Sequence, residues 1–490
     1  MKTSVIDPIK EASRCLMCGD APCAAACPNG RNPAKFVAGV RFGLGKTAAR
    51  YADCPSGKCG KLCEKACIQP DFPIRISKIR EAVSPLEEAR ADEIADAPSL
   101  AVDFLGVRCP NPFLISSSIA SATYEMCAAA LRAGWGGVVF KTIGAGPIRD
   151  VSPRFDSIGK EGTPFLGFRN LEQISDKPLT ENLAAIRRLK KEFPDRLIAA
   201  SIMGSDDAEW AMLTKECERA GADLVELNFS CPHMEADGKG SDVGQSAELV
   251  ARYTSACRKA SRIPLLAKMT PNLGDMTLPA AAALEAGADG IAAINTVKSF
   301  TGFASGGFDP VPLLNVSGKS AISGYSGKAV KPIALRFLID LKKCEKTAAA
   351  PLSGMGGIET FFDALDFFLV GCQTVQVTTA VMQYGYRIIE FLTDGLREYM
   401  RRGGVKSAAD FIGKGLNRIE QSAALDRESV SRVAIDYGKC VKCGRCVISC
   451  RDGGHQAIVW DRAGRKAAID GGKCVGCHLC KLVCPVGAIG

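Results

Sequence analysis

The sequence predicts an α/β fold: a (β/α)8 (TIM) barrel flanked by an N-terminal helical iron–sulfur domain and a C-terminal 2[4Fe-4S] ferredoxin-like domain. Three observations predict it. Between about residue 100 and residue 400, short apolar runs alternate with longer amphipathic segments. Sixteen of the 23 cysteines gather at the two ends of the 490-residue chain. Hydrophobic residues make up 47% and charged ones 23%, a balance that supports well-packed globular structure of two to four domains.

The apolar runs are FLISSS (113–118), GVVFKT (137–142), LIAASIM (197–203), LVELNFS (224–230), PLLAKMT (264–270), GIAAINT (290–296), PLSGMGG (351–357) and TVQVTTA (374–380). Eight such runs with helical patterns between them predict a closed parallel barrel. A doubly wound sheet would carry a nucleotide fingerprint after an early strand. GLGKTA (43–48) matches one only superficially, because no strand precedes it.

Chemistry in such barrels collects where the strands end. Those ends hold Ser116 and Ser117, Lys141 and Thr142, Asn228 with Ser230 and Cys231, Lys268, Asn295 and Thr296, Gly356 and Gly357, and Thr378 and Thr379. A barrel built for stability alone has no need of so many polar strand ends. The small residues of SGMGG and VTTA, followed by a helix start, suit a phosphate.

The C-terminal segment reads CVKCGRCVISC (Cys440, Cys443, Cys446, Cys450) and then CVGCHLCKLVCP (Cys474, Cys477, Cys480, Cys484). In C-x2-C-x2-C-x3-C, three thiolates on one tight loop grip three irons of a cubane, and the fourth iron takes its cysteine from the other half. One [4Fe-4S] cluster is thus expected on Cys440, Cys443, Cys446 and Cys484, and the other on Cys450, Cys474, Cys477 and Cys480. Structural zinc usually uses two separated C-x2-C pairs. Arg451 replaces the proline that commonly follows the fourth cysteine, whereas Pro485 keeps it.

The N-terminal set is CLMCGDAPCAAACP (Cys15, Cys18, Cys23, Cys27) and CPSGKCGKLCEKAC (Cys54, Cys59, Cys63, Cys67). Eight cysteines suffice for two more cubanes. The helical pattern of NPAKFVAGVRFGLGKTAARYAD between them predicts a small domain held together partly by its metals. The boundaries expected are 1–95 for this domain, 96–400 for the barrel, 401–432 for a helical linker and 433–490 for the two-cluster domain.

Seven cysteines remain. Cys109, Cys127, Cys217, Cys257, Cys344 and Cys372 sit in apolar or helical context and read as small core hydrophobes. Cys231, at the end of LVELNFSCPHM, does not.

Other classes are disfavoured. A formal charge of +9 from scattered Lys and Arg makes no nucleic-acid stripe. No run of 18 apolar residues predicts a membrane span, and MKTSVIDPIKEASRC lacks a signal-peptide core. So many cysteines without a disulfide framework fit a cytoplasmic setting.

These motifs carry a resemblance. From NPFLISSS through FKTIG, VSPRFD, ASIMG, NFSCPH, GSDVGQ, LAKMTPN, INTV, GYSGKAVKPIALR, GGIE and QVTTAVMQYGYR to the double-cluster tail, the chain resembles the catalytic subunit of bacterial NAD-dependent dihydropyrimidine dehydrogenases. More distantly it is similar to dihydroorotate dehydrogenases. The first hundred residues resemble the iron–sulfur domain of glutamate synthase small subunits and mammalian-type dihydropyrimidine dehydrogenases. That second resemblance implies one cluster on Cys15, Cys18, Cys23 and Cys67 and another on Cys27, Cys54, Cys59 and Cys63. Arg80 stands where mammalian-type enzymes place a glutamine ligand.

The first resemblance implies FMN lined by Ser116, Ser117, Lys141, Thr142, Lys268, Gly356, Gly357, Thr378 and Thr379. It implies a uracil or thymine ring held by Asn170, Glu172, Asn228, Ser230, Asn295 and Thr296. Carboxamides suit that ring, because its edge alternates acceptors and donors and each carboxamide offers both. Hydride from FMN to C6 would leave C5 to be protonated by Cys231, with His233 tuning or reloading it. An ordinary thiol has a pKa of about 8.5, protonated at neutral pH yet able to exchange. No FAD or NAD(P)H segment is visible, so a partner subunit is expected to carry both and to pass electrons through four clusters. A homo- or hetero-oligomer is expected. The alternative is a ferredoxin-linked or multi-subunit electron-transfer flavoprotein of the dihydroorotate dehydrogenase-like family, acting on another unsaturated substrate.

Overall fold

The computed structural model describes residues 7–52, 54, 59–69, 71–83, 98–160, 163–230, 241–304 and 308–490. They divide into two compact units, Met1–Asn417 and Arg418–Gly490.

The first unit opens with short helices. Pro8–Ser13 starts where the Asp7 carboxylate accepts from the amides of Ile9 and Lys10, and Pro33–Arg41 starts where Asn32 accepts from Lys35. Both have proline in the first turn, where a missing N–H costs nothing. Gly39 lets Pro33–Arg41 cross Gly45–Ala52 closely, since a Cβ there would meet the Ala48 amide at 2.8 Å. Phe36, Val37, Val40, Ala48, Ile74 and Ile79 form the small core, and Cys15, Cys23, Cys63 and Cys67 pack against it.

All eight apolar runs are barrel strands: Phe113–Ile115, Gly137–Ile143, Leu197–Ile202, Leu224–Asn228, Leu265–Lys268, Gly290–Ala293, Leu352–Met355 and Thr374–Val377. They pair in chain order, every pair parallel, and the last closes on the first through Val375↔Phe113, Gln376↔Leu114 and Val377↔Ile115. The inside of the barrel is layered. Leu114, Val139, Leu197, Ala199, Leu224, Leu266 and Ala292 make an apolar floor, plugged by Phe104 and Cys109 from an antiparallel hairpin over residues 102–109. Two residues further along the strands, the interior turns polar with Ser201, Glu226, Lys268 and Gln376, all buried.

Above the C-terminal rim lies an antiparallel sheet that the sequence reading did not anticipate. It runs in the order Val297–Ser299, Ser323–Ser326, Thr163–Asn170, Phe155–Lys160. The fully buried Arg169 ties it to the following loop, donating to Ser323 Oγ at 2.6 Å, Ser320 Oγ at 2.9 Å and Thr301 Oγ1 at 3.0 Å. Five of the spare cysteines, Cys109, Cys127, Cys217, Cys257 and Cys372, are buried, and Cys344 is half-buried. Burial pushes the thiols of Cys109, Cys217 and Cys257 up to about 12, which makes them inert.

The helical linker expected over 401–432 is not a helix. After Ile388–Arg402 ends, the chain makes only three-residue 3-10 turns at Ala408–Asp410, Leu416–Arg418 and Ser422–Ala424. Glycines at 403, 404, 413 and 415 interrupt any helical run there.

The second unit duplicates one motif. Each cysteine loop runs into a helix, Arg445–Gly453 or Leu479–Leu482, and between the halves lies the hairpin Ile458–Asp461 with Lys466–Ile469. The ends of the domain meet through Ile435↔Ile489. Among the described residues no helix is long and apolar enough to cross a membrane.

Candidate active site and metal centres

The strand ends open into one cleft of about 1100 Å3, a volume that includes open solvent. Ser116, Ser117, Lys141, Thr142, Lys268, Gly356, Gly357, Thr378 and Thr379 all line it, and so do Asn170, Glu172, Asn228, Asn295 and Thr296. Cys231 and His233 lie outside the described residues.

At the centre of one wall is a chain of hydrogen bonds. Asn228 Nδ2 donates to Thr142 Oγ1 at 2.9 Å, and Thr142 is shared with Ser117 Oγ at 3.0 Å and Ser201 Oγ at 2.9 Å. Asn228 Oδ1 accepts from the Ser230 hydroxyl at 2.8 Å, and that hydroxyl accepts from Asn295 Nδ2 at 2.7 Å. Three elements separated in sequence are thereby held in one orientation. Ser230 joins these two carboxamides through its hydroxyl. It is fully buried.

Asn170 and Thr296 come from the antiparallel sheet and the end of the sixth strand. Gly324 makes their approach possible: it pairs with Asn170, and a Cβ on it would lie 2.3 Å from Thr296 Oγ1. The two rim lysines are not free cations. Lys141 is ion-paired to Glu172, which Arg154 also approaches at 3.5 Å, and Lys268 Nζ sits 3.1 Å from Glu226 Oε1.

On the opposite side the backbone makes a cradle. Gly356 and Gly357 have φ of 122° and 76°, and a Cβ on Gly357 would meet the Gly327 carbonyl and the Lys331 amide at 2.9 Å each. Only glycine fits that turn. Ser326 Oγ and Thr379 Oγ1, 3.1 Å apart, complete this end. Gln376, at the floor, gives its Nε2 to Glu226 Oε2 at 3.0 Å and Ser353 Oγ at 3.2 Å, while its buried Oε1 has no partner. An elongated cleft with a glycine-and-hydroxyl cradle at one end and a cation plus an unpaired carboxamide oxygen on its floor fits a flavin mononucleotide.

Sequence reasoning missed Gln376, Glu226, Ser326 and Glu359. Glu226 and Gln376 had a signal: each is a polar residue inside an apolar strand, and Glu226 is two positions from Asn228 and so on the same face.

Glu359 also lines the cleft, with a buried Oε1 that has no partner. Burial, reinforced by Asp363 nearby, raises its carboxyl above the ordinary range. For a raised acid, the native state gains most below the unfolded pKa and loses that gain as pH rises through the folded pKa. Glu359→Gln should therefore raise the unfolding temperature of flavin-free protein at pH 7.5 by about 1–2 °C, with the difference vanishing near pH 4. Scanning calorimetry at the two pH values checks this, and equal gains at both would refute it.

The cysteines surround three separate cavities. One is lined by Cys15, Cys18, Cys23 and Cys67, a second by Cys440, Cys443, Cys446 and Cys484, and a third by Cys450, Cys474, Cys477 and Cys480. Among the described residues no group of three or more His, Cys, Asp or Glu draws together around a single-ion site. Backbone amides point at the sulfurs: Met17 at Cys15 (3.5 Å), Lys442 at Cys440 (3.4 Å), Ala457 at Cys450 (3.3 Å) and Ala488 at Cys484 (3.2 Å). Met17, Lys442 and Gly476, each just before the second cysteine of a C-x2-C, have φ between 54° and 71°, which curls the loop. Four thiols around open space with amides aimed at sulfur make a donor set that a cubane fits. Burial raises the Cys63 thiol, and Arg80 donates to the Cys54 carbonyl at 2.9 Å.

Residues 99–400 match the family model described as dihydroorotate dehydrogenase. The chain belongs to that family. Within this flavin-binding, dihydroorotate dehydrogenase-like family, residues 433–490 match a 4Fe-4S dicluster domain and residues 2–91 the 4Fe-4S domain II of dihydropyrimidine dehydrogenase. Over 390 residues the chain is 53% identical to the NAD-dependent dihydropyrimidine dehydrogenase subunit PreA of Escherichia coli K12, covering 80% of this chain and 94% of that one. It is 39% identical over 331 residues to the chloroplastic NADP(+) dihydropyrimidine dehydrogenase of Arabidopsis thaliana, covering 65% and 77%. The dihydroorotate dehydrogenase B catalytic subunit of Pyrococcus furiosus is 34% identical over 321 residues, covering 64% and 98%. This family member is an oxidoreductase whose barrel is preceded and followed in sequence by a 4Fe-4S domain.

Proposed function

We propose that the chain is the catalytic component of a dihydropyrimidine dehydrogenase, reducing the C5=C6 bond of uracil or thymine. The observation that carries this is the hydrogen-bonded set Asn228–Ser230–Asn295, which presents two carboxamides to the cleft that also holds the glycine cradle. Bound FMN would supply hydride to C6 of the ring. Asn228 and Asn295, with Asn170 and Thr296, hold the alternating carbonyl and N–H edge, and Ser230 fixes the two carboxamides from behind. A wrong ring would leave each unpaired amide costing ~1–3 kcal/mol. Cys231, three residues past Asn228, delivers the proton to C5, and His233 assists it. Glu172 orients the outer edge of the ring while held by Lys141.

Gly356, Gly357, Thr378 and Thr379 hold the FMN phosphate. Ser116, Ser117, Lys141, Thr142 and Lys268 hold the rest of the cofactor. The four cysteine sets hold four [4Fe-4S] clusters, the fourth on Cys27, Cys54, Cys59 and Cys63. They receive electrons from a partner protein that carries FAD and oxidises NAD(P)H, in a reducing cytoplasmic setting.

Anaerobic purification tests the reading. The expected protein contains one FMN and about 16 iron atoms per chain, and after photoreduction its flavin is reoxidised by uracil or thymine but not by orotate. Absence of FMN, or reoxidation by orotate alone, would overturn it.

A further inference from the structure

The floor of the cleft contains a carboxylate that no substrate or cofactor can touch. Glu226 is fully buried and does not line the cleft, but it holds two residues that do: Lys268 Nζ at 3.1 Å on one oxygen and Gln376 Nε2 at 3.0 Å on the other. Ser353 Oγ accepts a second bond from Gln376 Nε2 at 3.2 Å and one from Thr374 Oγ1 at 2.9 Å, so the carboxamide cannot turn over. The orientation leaves Gln376 Oε1 as the buried atom without a partner.

We propose that Glu226 is a positioning residue that sets, from behind the floor, the charge and the acceptor which Lys268 and Gln376 present to the flavin, and thereby sets the flavin's reduction potential. The inference rests on the flavin reading of the cleft. Reduction by two electrons delivered from the iron–sulfur centres, with one proton taken up from solvent, would add one negative charge to the flavin ring. A free Lys268 would favour that charge strongly. Paired with Glu226 it favours it far less, because buried charges are weakly screened and the carboxylate opposes what the ammonium attracts. The other rim cation, Lys141, is likewise paired, with Glu172. The floor therefore holds the flavin at a lower potential than an unpaired Lys268 would.

The test is the flavin midpoint potential of the full iron-containing protein, followed in the flavin's own absorbance. Glu226→Gln removes the charge, and its single carboxamide oxygen still accepts from one of the two, Lys268 or Gln376. It should bind FMN in the wild-type ratio and raise the midpoint by at least a tenfold change in the oxidised-to-reduced ratio, ~30 mV for a two-electron couple. Lys268→Gln should move it the opposite way. If Glu226→Gln does not fold, the Lys268→Gln and Lys268→Gln/Glu226→Gln proteins are compared, and the double variant should have the higher midpoint. A purely structural Glu226 would lower stability or FMN content and leave the midpoint of the bound flavin unchanged, which overturns the proposal. Wild-type protein that binds no FMN would overturn the flavin reading itself.

Discussion

Cys231→Ala should lose between about 10² and 10⁴ in the rate at which uracil reoxidises the reduced flavin, the range by which a positioned general acid contributes. A thousandfold loss corresponds to ~4 kcal/mol of barrier. FMN content and pyrimidine affinity should change little, because Asn228 is held by Thr142 and Ser230. Cys231→Ser should resemble the alanine variant: a hydroxyl is far too weak an acid to protonate C5 at neutral pH. The wild-type rate should fall as pH rises past about 8.5, where an ordinary thiol is spent as thiolate, and that limb should be missing from both variants. Anaerobic single-turnover kinetics across pH 6–10 decides it. Near-wild-type rates in Cys231→Ala would remove the cysteine from the chemistry and leave the proton to water or His233.

The barrel was legible because a parallel sheet covered on both faces must be apolar along its whole length. All eight runs became strands, in chain order. The rim was legible for the same reason inverted: polar residues at 141–142, 228 and 295–296 stand out against such runs, and all of them line the cleft. The antiparallel sheet was not legible. Its strands are only three to eight residues long, lie up to 171 positions apart between Phe155 and Ser326, and are partly exposed, so they carry no continuous apolar signal. Its glycines are the trace it left, since Gly167 and Gly324 are places where a Cβ would strike Tyr325 and Thr296.

Ser230 shows what a strand-end position leaves open. Position at a strand end says that a side chain is near the rim, but once the chain leaves the strand the alternation no longer says which way it points. Asn228 faces the cleft, whereas the hydroxyl of Ser230 turns back to bond the carboxamides. The interior layer was readable yet unread: Glu226 and Gln376 look like blemishes in apolar strands until the barrel closes and brings them within 3.0 Å of each other. Long-range pairing of that kind, 150 residues apart in sequence, has no local signature.

Removing iron should separate the two halves of the function. The C-terminal domain has few buried residues, with Val433, Ala457, Ile458, Ala467 and Ile489 packed around Cys450 and Cys480. Burial, with Cys450 and Cys477 close by, raises the Cys480 thiol. Without a metal to hold them as thiolates, these cysteines add little to a core that small, so the domain depends on its clusters for its fold. The barrel has no such dependence, because its interior and helices are closed by side chains alone. Iron-depleted protein should therefore lose amide protection throughout 433–490 while the eight barrel strands stay protected. Photoreduced flavin in that protein should still be reoxidised by uracil at close to the holoprotein rate, whereas reduction by NAD(P)H through the partner should fall at least ~100-fold, since effects on electron supply and on chemistry are separable when the steps are distinct. Hydrogen exchange and the two half-reactions measure this directly. Retained protection in 433–490 without iron, or loss of the uracil half-reaction along with it, would show that the clusters shape the active site as well as feed it.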